Sequence, residues 1–515
     1  MTRCQVLIAG AGPTGLVLAL WLTKQGVTVR IVDKTERPGT TSRALAVQAR
    51  TLELYRQLDL ADAVVERGHQ VPAVNLWVRG ERAARVEFGA VGQDLTPFPF
   101  LQMFPQDRHE ALLIERLSGM GVEVERQTEL LGFTDGADGV VAQLRGPDGA
   151  KTSCAADYIA GCDGARSVVR HVLGTDFPGG TYQQIFYVAD VDASGPSANG
   201  ELHVDLDEAD FLAVFPMDAH GRVRLIGTVR DERAEHPDDL KFEDVSTQAI
   251  DHMQMGVRRV NWFSTYRVHH RVTDHFRGGR AFLVGDAAHI HSPAGGQGMN
   301  TGLGDAINLA WKLAAVLRGD APDALLDSYE AERIGFARRL VSTTDRAFSL
   351  VSAEGPFADI VRTRLAPIAI PAALSVEKVR EYMFRTVSQI TLNYRGSPLS
   401  AGHVGHVHGG DRLPWSPGGG AEEAVMLSAI AWQVAVYGEA SAALRAWCAD
   451  RAMPLHVFPF TDAHAAAGLT LGAAYLLRPD TYVAVIDAEG RPEALDRYFS
   501  ERKIAPAAAQ LVNPA

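Results

Sequence analysis

The chain is poor in the residues that build metal and disulfide sites. Its 515 residues hold four cysteines, Cys4, Cys154, Cys162 and Cys448. None forms a Cys-x-x-Cys pair or a Cys/His group with metal-ligand spacing, so a disulfide framework and a metal centre are not expected. That usage fits a reducing cytoplasm. Basic runs are missing as well. The formal net charge is −12, and Lys and Arg are thinly spread, whereas nucleic acid requires a basic surface that displaces phosphate counterions. Nucleic acid is therefore excluded as a partner. Long apolar runs are also absent. Val6 to Leu22 is interrupted by Gly10, Gly12 and Gly15, has Arg3 as its only early positive charge, and shows no small-residue cleavage site before Lys24-Gln25. It reads as folded structure and not as a signal peptide. No other stretch is apolar for long enough to span a bilayer, so no membrane partner is expected. Internal repeats and low-complexity tracts are not found.

What is present is ordinary for a folded protein: 46% hydrophobic and 22% charged residues, in a length that suggests about two to four domains. The N-terminus carries the first specific signal. Gln5 to Ala9 reads as a buried strand, Leu16 to Gln25 as a helix that Gly26 ends, and Val27 to Val32 as a second strand closed by Asp33. Between strand and helix lies Gly10-Ala11-Gly12-Pro13-Thr14-Gly15. Gly10 permits a tight turn, Gly12 lets backbone approach a pyrophosphate, and Gly15 lets helix and strand pack closely. The helix N-terminus offers N–H groups to phosphate, and Asp33 stands where a carboxylate accepts from ribose hydroxyls. This is a dinucleotide-binding βαβ unit. The fingerprint alone does not separate FAD from NAD.

Two later segments make that choice. One is Tyr158-Ile159-Ala160-Gly161-Cys162-Asp163-Gly164-Ala165-Arg166-Ser167, followed by Arg170. The other runs from Gly279 through Gly285-Asp286-Ala287-Ala288-His289 and Ser292-Pro293-Ala294-Gly295-Gly296-Gln297-Gly298-Met299-Asn300-Thr301-Gly302 to Asp305-Ala306 and Asn308-Leu309-Ala310-Trp311-Lys312-Leu313. With the N-terminal fingerprint, these resemble the three motifs of the class A flavoprotein monooxygenases, the para-hydroxybenzoate hydroxylase type. The chain is most similar to the larger members with a C-terminal thioredoxin-like domain, which include phenol, hydroxyphenylpropionate and polyketide hydroxylases. Ser388-Gln389, Asn393-Tyr394-Arg395, Gly410-Asp411-Arg412 and Arg478-Pro479-Asp480 agree with this, and the resemblance covers essentially the whole chain.

The resemblance implies a fold that is α/β and α+β: a Rossmann-like FAD-binding domain, an interleaved antiparallel-sheet substrate domain and a C-terminal thioredoxin-like domain. The FAD domain is assigned to 1–72, 101–175 and 268–345, and the substrate domain to 73–100 and 176–267. A helical linker, broken by Pro356, Pro367 and Pro371, occupies 346–400. The thioredoxin-like domain is 401–515; it lacks Cys-x-x-Cys, so thiol redox chemistry is not expected of it.

The implied activity is hydroxylation of an aromatic substrate, phenolic or polycyclic, with FAD as cofactor, NADPH or NADH as electron donor, and O2 reacting through a flavin C4a-hydroperoxide. The partners are thus a small aromatic molecule and O2, and a homodimer fits the family. For FAD the implied residues are Gly10, Gly12, Pro13, Thr14, Gly15, Asp33, Lys34, Arg43, Gln106, Asp163, Gly285, Asp286, Pro293, Gly296, Gly298, Met299 and Asn300. Asp33 is a mild departure, since the family usually has Glu there. Taken alone, Arg43 and Gln106 read equally as surface polar residues, and Asp163-Gly164 as a tight turn. The glycines of the Pro293–Gly302 stretch let backbone lie against a flat ring, and the helix that follows can stabilise negative charge on a reduced flavin. Phe215 and Met217 match the segment that faces substrate in the family, and read as well as plain core. His289 and His291 read more readily as structural than as catalytic. No acid/base triad is visible, and no catalytic side chain is assigned; the flavin-facing loop is Pro293, Gly296 and Gly298. A flavin halogenase is disfavoured, because Trp77 is followed by Val78-Arg79 and the Trp-x-Trp-x-x-Ile-Pro signature is absent. The remaining alternative is an NAD(P)H-dependent flavin reductase that transfers no oxygen.

Overall fold

The computed structural model describes residues 2–39, 44–78, 80–206, 211–229, 240–245, 247–292, 296–352, 366–417 and 419–506. The first unit of the chain is β1 (Thr2–Ala9), α1 (Pro13–Lys24) and β2 (Val29–Val32). The helix starts at Pro13, three residues earlier than the apolar spacing suggests, because a proline in the first turn needs no N–H and already has a helical φ. It stops where Gly26 takes φ +78°. There Gly26 N donates to Thr23 O and Val27 N to Leu22 O, the paired bonds of a Schellman cap. Leu16 to Leu22 are all fully buried. A helix apolar on every side belongs between two layers, and α1 indeed packs against the sheet on one side and the helix Gly298–Arg318 on another.

β1 is central in an eight-stranded sheet, parallel to β2 and to the strand Lys151–Gly161. Ala281–Leu283 adds in parallel beyond Lys151–Gly161, and Val124–Glu125 beyond β2. Val6, Leu7 and Ile8 are fully buried, as both faces of a parallel sheet must be when helices cover them. This is the expected Rossmann-like layer.

A second eight-stranded sheet is almost wholly antiparallel. In spatial order its strands are His289–Ile290, Gly256–Val272, Gly179–Ser194, Arg222–Val229, Phe211–Pro216, Leu202–Leu206, Ala73–Val78 and Glu81–Glu87. Its two faces differ. Leu212, Val214, Val223, Leu225, Ala189 and Val191 are at most 2% exposed and pack with Ile250 and Met253. The alternate residues Phe211, Phe215, Ile226, Trp262 and Tyr266 are only half-buried. Period-two alternation along each strand produces this asymmetry.

Beyond residue 400, Leu455–Phe458, Gln433–Tyr437, Ala474–Leu477 and Val483–Asp487 form a four-stranded sheet, its first pair parallel and the others antiparallel. One local expectation differs from what is observed. The helix Ala366–Ser375 spans both Pro367 and Pro371, so these prolines do not divide the segment; Pro367 falls in the first turn, where no hydrogen bond is lost. Pro356 lies outside the described residues. No described helix is long and apolar enough to cross a membrane.

Candidate functional site

Three turns lie side by side at the carboxyl ends of the parallel strands. Ala9 pairs with both Val32 and Gly161, and Gly161 pairs with Leu283. The residues that follow each strand end are therefore brought to one rim: Gly10, Asp33, Cys162-Asp163 and Val284-Gly285. In open α/β sheets this rim is where ligands bind.

Only glycine allows the turns to approach so closely. Gly10 has φ +100°, and a Cβ there would lie 2.2 Å from the Cys162 carbonyl oxygen. A Cβ on Gly15 would lie 2.0 Å from Gly10 O, and one on Gly302 would lie 2.5 Å from Thr14 Oγ1. Gly12 is different. Nothing stands within 4 Å of its Cβ position, so its missing side chain leaves space that faces no protein. Pro13 is buried at the first position of α1, and Thr14 is half-buried beside Gly285.

Polar groups lock the rim. Asp33 Oδ2 accepts from Ala11 N at 2.7 Å, and its Oδ1 accepts from Thr35 N at 2.8 Å. Asp163 Oδ2 accepts from Val168 N at 2.7 Å. Its Oδ1 is buried with no hydrogen-bond partner among the described residues, an acceptor that calls for a donor from outside the chain. Arg170 joins two turns, donating to Ala165 O at 2.6 Å and to Ala287 O at 2.9 Å. Asp286 and Lys34 are exposed. Open space at Gly12, first-turn amides at α1 and an orphaned carboxylate oxygen together fit a phosphate-bearing dinucleotide.

The helix Gly298–Arg318 points its first turn, with Gly298, Met299 and Asn300, toward the same rim. The Asn300 side chain is fully engaged within the protein. Its Oδ1 accepts from Gln48 N at 2.9 Å and Thr51 Oγ1 at 2.8 Å, and its Nδ2 donates to Ala46 O at 2.9 Å and Gly296 O at 3.0 Å. It sews the glycine loop to residues 46–51, so any cofactor contact at this position falls to its backbone. Gly296, with φ +61°, lies against Ala46, whose Cβ is 3.1 Å from the Cβ position of the glycine. Arg43 and Pro293 lie outside the described residues.

Sequence reasoning left Asp305 without a role. It is buried, and Oδ2 accepts from His289 Nε2 at 2.6 Å and from Gly285 N at 3.2 Å, while Oδ1 accepts from Arg333 Nε at 2.6 Å. Burial alone would raise this carboxyl, but Arg333 and His289 overcome that and hold it below its ordinary value. His289 is thereby tied to an internal carboxylate. The signal was present in the motif spacing, but its partner Arg333 was not identifiable from sequence.

On the outer side, Gln106 Nε2 donates to Glu110 Oε1 at 2.7 Å. Burial raises the Glu110 carboxyl. One turn away, His109 Nε2 meets Tyr55 OH at 2.8 Å with no exposure to water. Burial pushes this imidazole from its ordinary 6.5 down to about 3. The unfolded chain therefore takes the proton first as pH falls. The contribution of His109 to stability is complete above the unfolded pKa of 6.5 and is lost progressively toward about 3. We expect His109→Gln to flatten the acid limb of the stability curve, read as melting temperature against pH. An unchanged acid limb would show that His109 does not set it.

An apolar cluster links the second sheet to the rim. Phe215 and Met217 share a cluster with Leu45, Ala46, Leu101 and Met103, which places the half-buried face of the second sheet over the segment that touches Gly296. Both readings of Phe215 and Met217, core and substrate contact, lead to this cluster.

Comparison with known proteins agrees with this geometry. Residues 3–344 match the family model described as FAD binding domain. The 6-methylpretetramide 4-monooxygenase of Streptomyces rimosus is 39% identical over 420 residues, covering 78% of this chain and 73% of that protein. Among solved structures, the anhydrotetracycline hydroxylase OxyS of Streptomyces rimosus superposes with a TM-score of 0.78 at 29% identity, covering 98% of this chain and 100% of that one. A ternary complex of aklavinone-11 hydroxylase with FAD and aklavinone gives a TM-score of 0.78 at 26% identity, covering 98% and 99%. The chain belongs to the FAD-binding-domain family and is a flavin-dependent aromatic monooxygenase of the class A type.

Proposed function

We propose that this enzyme hydroxylates an oxygenated polycyclic arene, using NADPH or NADH as electron donor and O2 as oxygen source. The observation that carries the reading is the meeting of three glycine-dependent turns on one sheet rim, beneath the half-buried apolar face that includes Phe215. The names of the relatives, a 6-methylpretetramide 4-monooxygenase, an anhydrotetracycline hydroxylase and an aklavinone-11 hydroxylase, support the same substrate class.

The residues divide by position. Gly10, Gly12, Pro13, Thr14, Gly15, Asp33, Lys34, Arg43 and Gln106 would hold the adenosine and pyrophosphate. Asp163, Gly285 and Asp286 would hold the ribityl chain. Pro293, Gly296, Gly298, Met299 and Asn300 would bear backbone against the ring system. FAD supplies the redox and oxygen-transferring chemistry when bound; the chain binds it, orients it and excludes water. Phe215 and Met217 would press on the substrate.

The same reading includes the domain division. Its support is that Ala73–Val78 and Glu81–Glu87 pair into the sheet built mainly from residues 179–272, while Leu101–Met103 returns to Ala46–Val47 and His69–Val71. It takes the C-terminal unit as thioredoxin-like, supported by one parallel and two antiparallel pairings in a four-stranded sheet. A cytoplasmic homodimer completes it; free cysteines favour that compartment.

The test mixes FAD-loaded protein with NADPH or NADH and labelled O2 against a panel of phenols and polycyclic hydroxyarenes. A product that gains one labelled oxygen, formed from a compound that also speeds cofactor oxidation, is the expected result. Flavin reduction with no labelled product from any compound would favour the reductase alternative, and failure of NAD(P)H to reduce the flavin would overturn the proposal.

A further inference from the structure

The roof of the candidate site carries a buried ion pair, Arg224 with Asp190. Phe215 pairs across strands with Arg224, Arg224 with Asp190, and Asp190 with Trp262. Direct cross-strand partners point to the same face, so these four side chains form a row on the half-buried face, the one that reaches the glycine loop through Phe215 and Ala46. Arg224 is 3% exposed and Asp190 6%. Such a pair costs desolvation energy that an apolar pair of the same volume would not. Its presence between Phe215 and Trp262 therefore asks for a reason.

The geometry of the pair supplies one. Arg224 Nε donates to Asp190 Oδ1 at 2.6 Å and Nη2 to Oδ2 at 2.8 Å. This two-point contact fixes the guanidinium plane, and the Trp262 ring, its centroid 5.7 Å from the guanidinium carbon, lies beside it. The third nitrogen, Nη1, is buried and has no hydrogen-bond partner among the described residues. Two N–H bonds are thus held in a fixed direction, out of water, with no acceptor among the described residues. Native interiors rarely leave a donor in this state.

We propose that Arg224 Nη1 is a substrate-positioning donor, and that it recognises an uncharged oxygen of the arene, a ring ketone or phenol, and not a carboxylate. The charge balance separates these acceptors. Asp190 already neutralises the guanidinium, so a carboxylate placed at Nη1 would add a second buried anion against one cation. A neutral carbonyl or phenolic oxygen satisfies the donor and leaves the pair balanced. This assignment rests on the proposed hydroxylase reading for the location of the site.

The test measures binding to the FAD-loaded enzyme by perturbation of the flavin spectrum, with 8-hydroxy-1-tetralone, tetralin and 1-naphthoate as probes. The wild type should bind the hydroxytetralone at least about tenfold more tightly than either other probe, the lower range of what an unpaired buried donor costs. The double variant Asp190→Leu with Arg224→Leu removes both charges together and should reduce that preference to about twofold or less. Asp190→Asn keeps the hydrogen-bonding shape but exposes the full guanidinium charge, and should shift preference toward 1-naphthoate. A wild type that does not distinguish hydroxytetralone from tetralin, or that prefers 1-naphthoate, overturns the assignment. So does a double variant that keeps the wild-type preference; if it fails to fold, the Asp190→Asn shift decides. Because the readout is binding, intact discrimination without labelled product would count against the hydroxylase reading alone.

Discussion

A Gly10→Ala variant is expected to purify without flavin and to melt well below the wild type. The added Cβ would lie 2.2 Å from Cys162 O, 2.6 Å from its carbonyl carbon and 2.9 Å from Asp163 Cα. All three are backbone atoms at the end of the neighbouring strand, so no rotamer change relieves the overlap. Separation would have to break the bond from Cys162 N to Ala9 O, 2.8 Å long, and with it the alignment of two of the three turns. Alanine at φ +100° is strained even in open space, and strain plus backbone overlap should cost about 3 kcal/mol or more. Gly12→Ala is the matched control. Its φ of −75° suits any residue, and its Cβ would meet no protein atom. The apoprotein should therefore melt as the wild type does, while flavin retention falls, because the methyl enters the space where the pyrophosphate would approach. The ratio of flavin to protein absorbance and the apoprotein melting curve separate the two effects. If Gly12→Ala retains FAD as well as the wild type, the pyrophosphate does not bind at this turn.

These two glycines also show what the sequence made legible. The first βαβ unit could be read to within about three residues at each boundary, because its determinants are local: a strand, a glycine turn and Gly26 at the helix end lie within one short stretch, although the helix starts at Pro13 and not at Leu16. The rim of three turns was legible only through family resemblance, since nothing local says that Gly10 touches Cys162. Asn300 reads as a cofactor residue from its place in the motif; what the motif does not tell is that its side chain ties Gly296 to Ala46, Gln48 and Thr51, which lie about 250 positions away in the chain. The strand Ala474–Leu477 is not legible in the sequence, because all four residues are buried and a short run without alternation does not distinguish strand from helix. Asp190 and Arg224 stood in the sequence as charges within apolar strands, but only the register placed them in one row.

Glu332→Gln should be the most destabilising single change away from the turns. Glu332 joins the flavin-motif helix to the C-terminal unit. Its Oε2 lies 2.7 Å from Lys312 Nζ and 2.7 Å from Asn308 Nδ2, and Arg478 donates to Oε1 at 2.6 Å and to Oε2 at 3.0 Å. Arg478 also reaches Asp480 Oδ2 at 2.6 Å, which accepts in turn from Trp311 Nε1 at 3.0 Å. Lys312, Glu332, Arg478 and Asp480 are all 4% exposed or less, with two charges of each sign in balance. Glutamine keeps the shape and removes one negative charge, so two buried cations face one anion. Breaking a buried pair in this way costs about 3–5 kcal/mol. Burial already holds Lys312 below its ordinary 10.5 despite the carboxylate beside it; without that carboxylate it falls further. The native variant then sheds this proton at a pH where the unfolded chain still holds it, so the deficit in melting temperature should narrow as pH rises. Adding Lys312→Met removes the excess cation and should recover much of the loss. Lys312 belongs to the helix whose first turn faces the flavin rim, and Arg478 belongs to the tail. Flavin retention should therefore fall together with stability in Glu332→Gln and return with it in the double variant. Retention that does not follow stability would show that the tail does not brace the flavin helix.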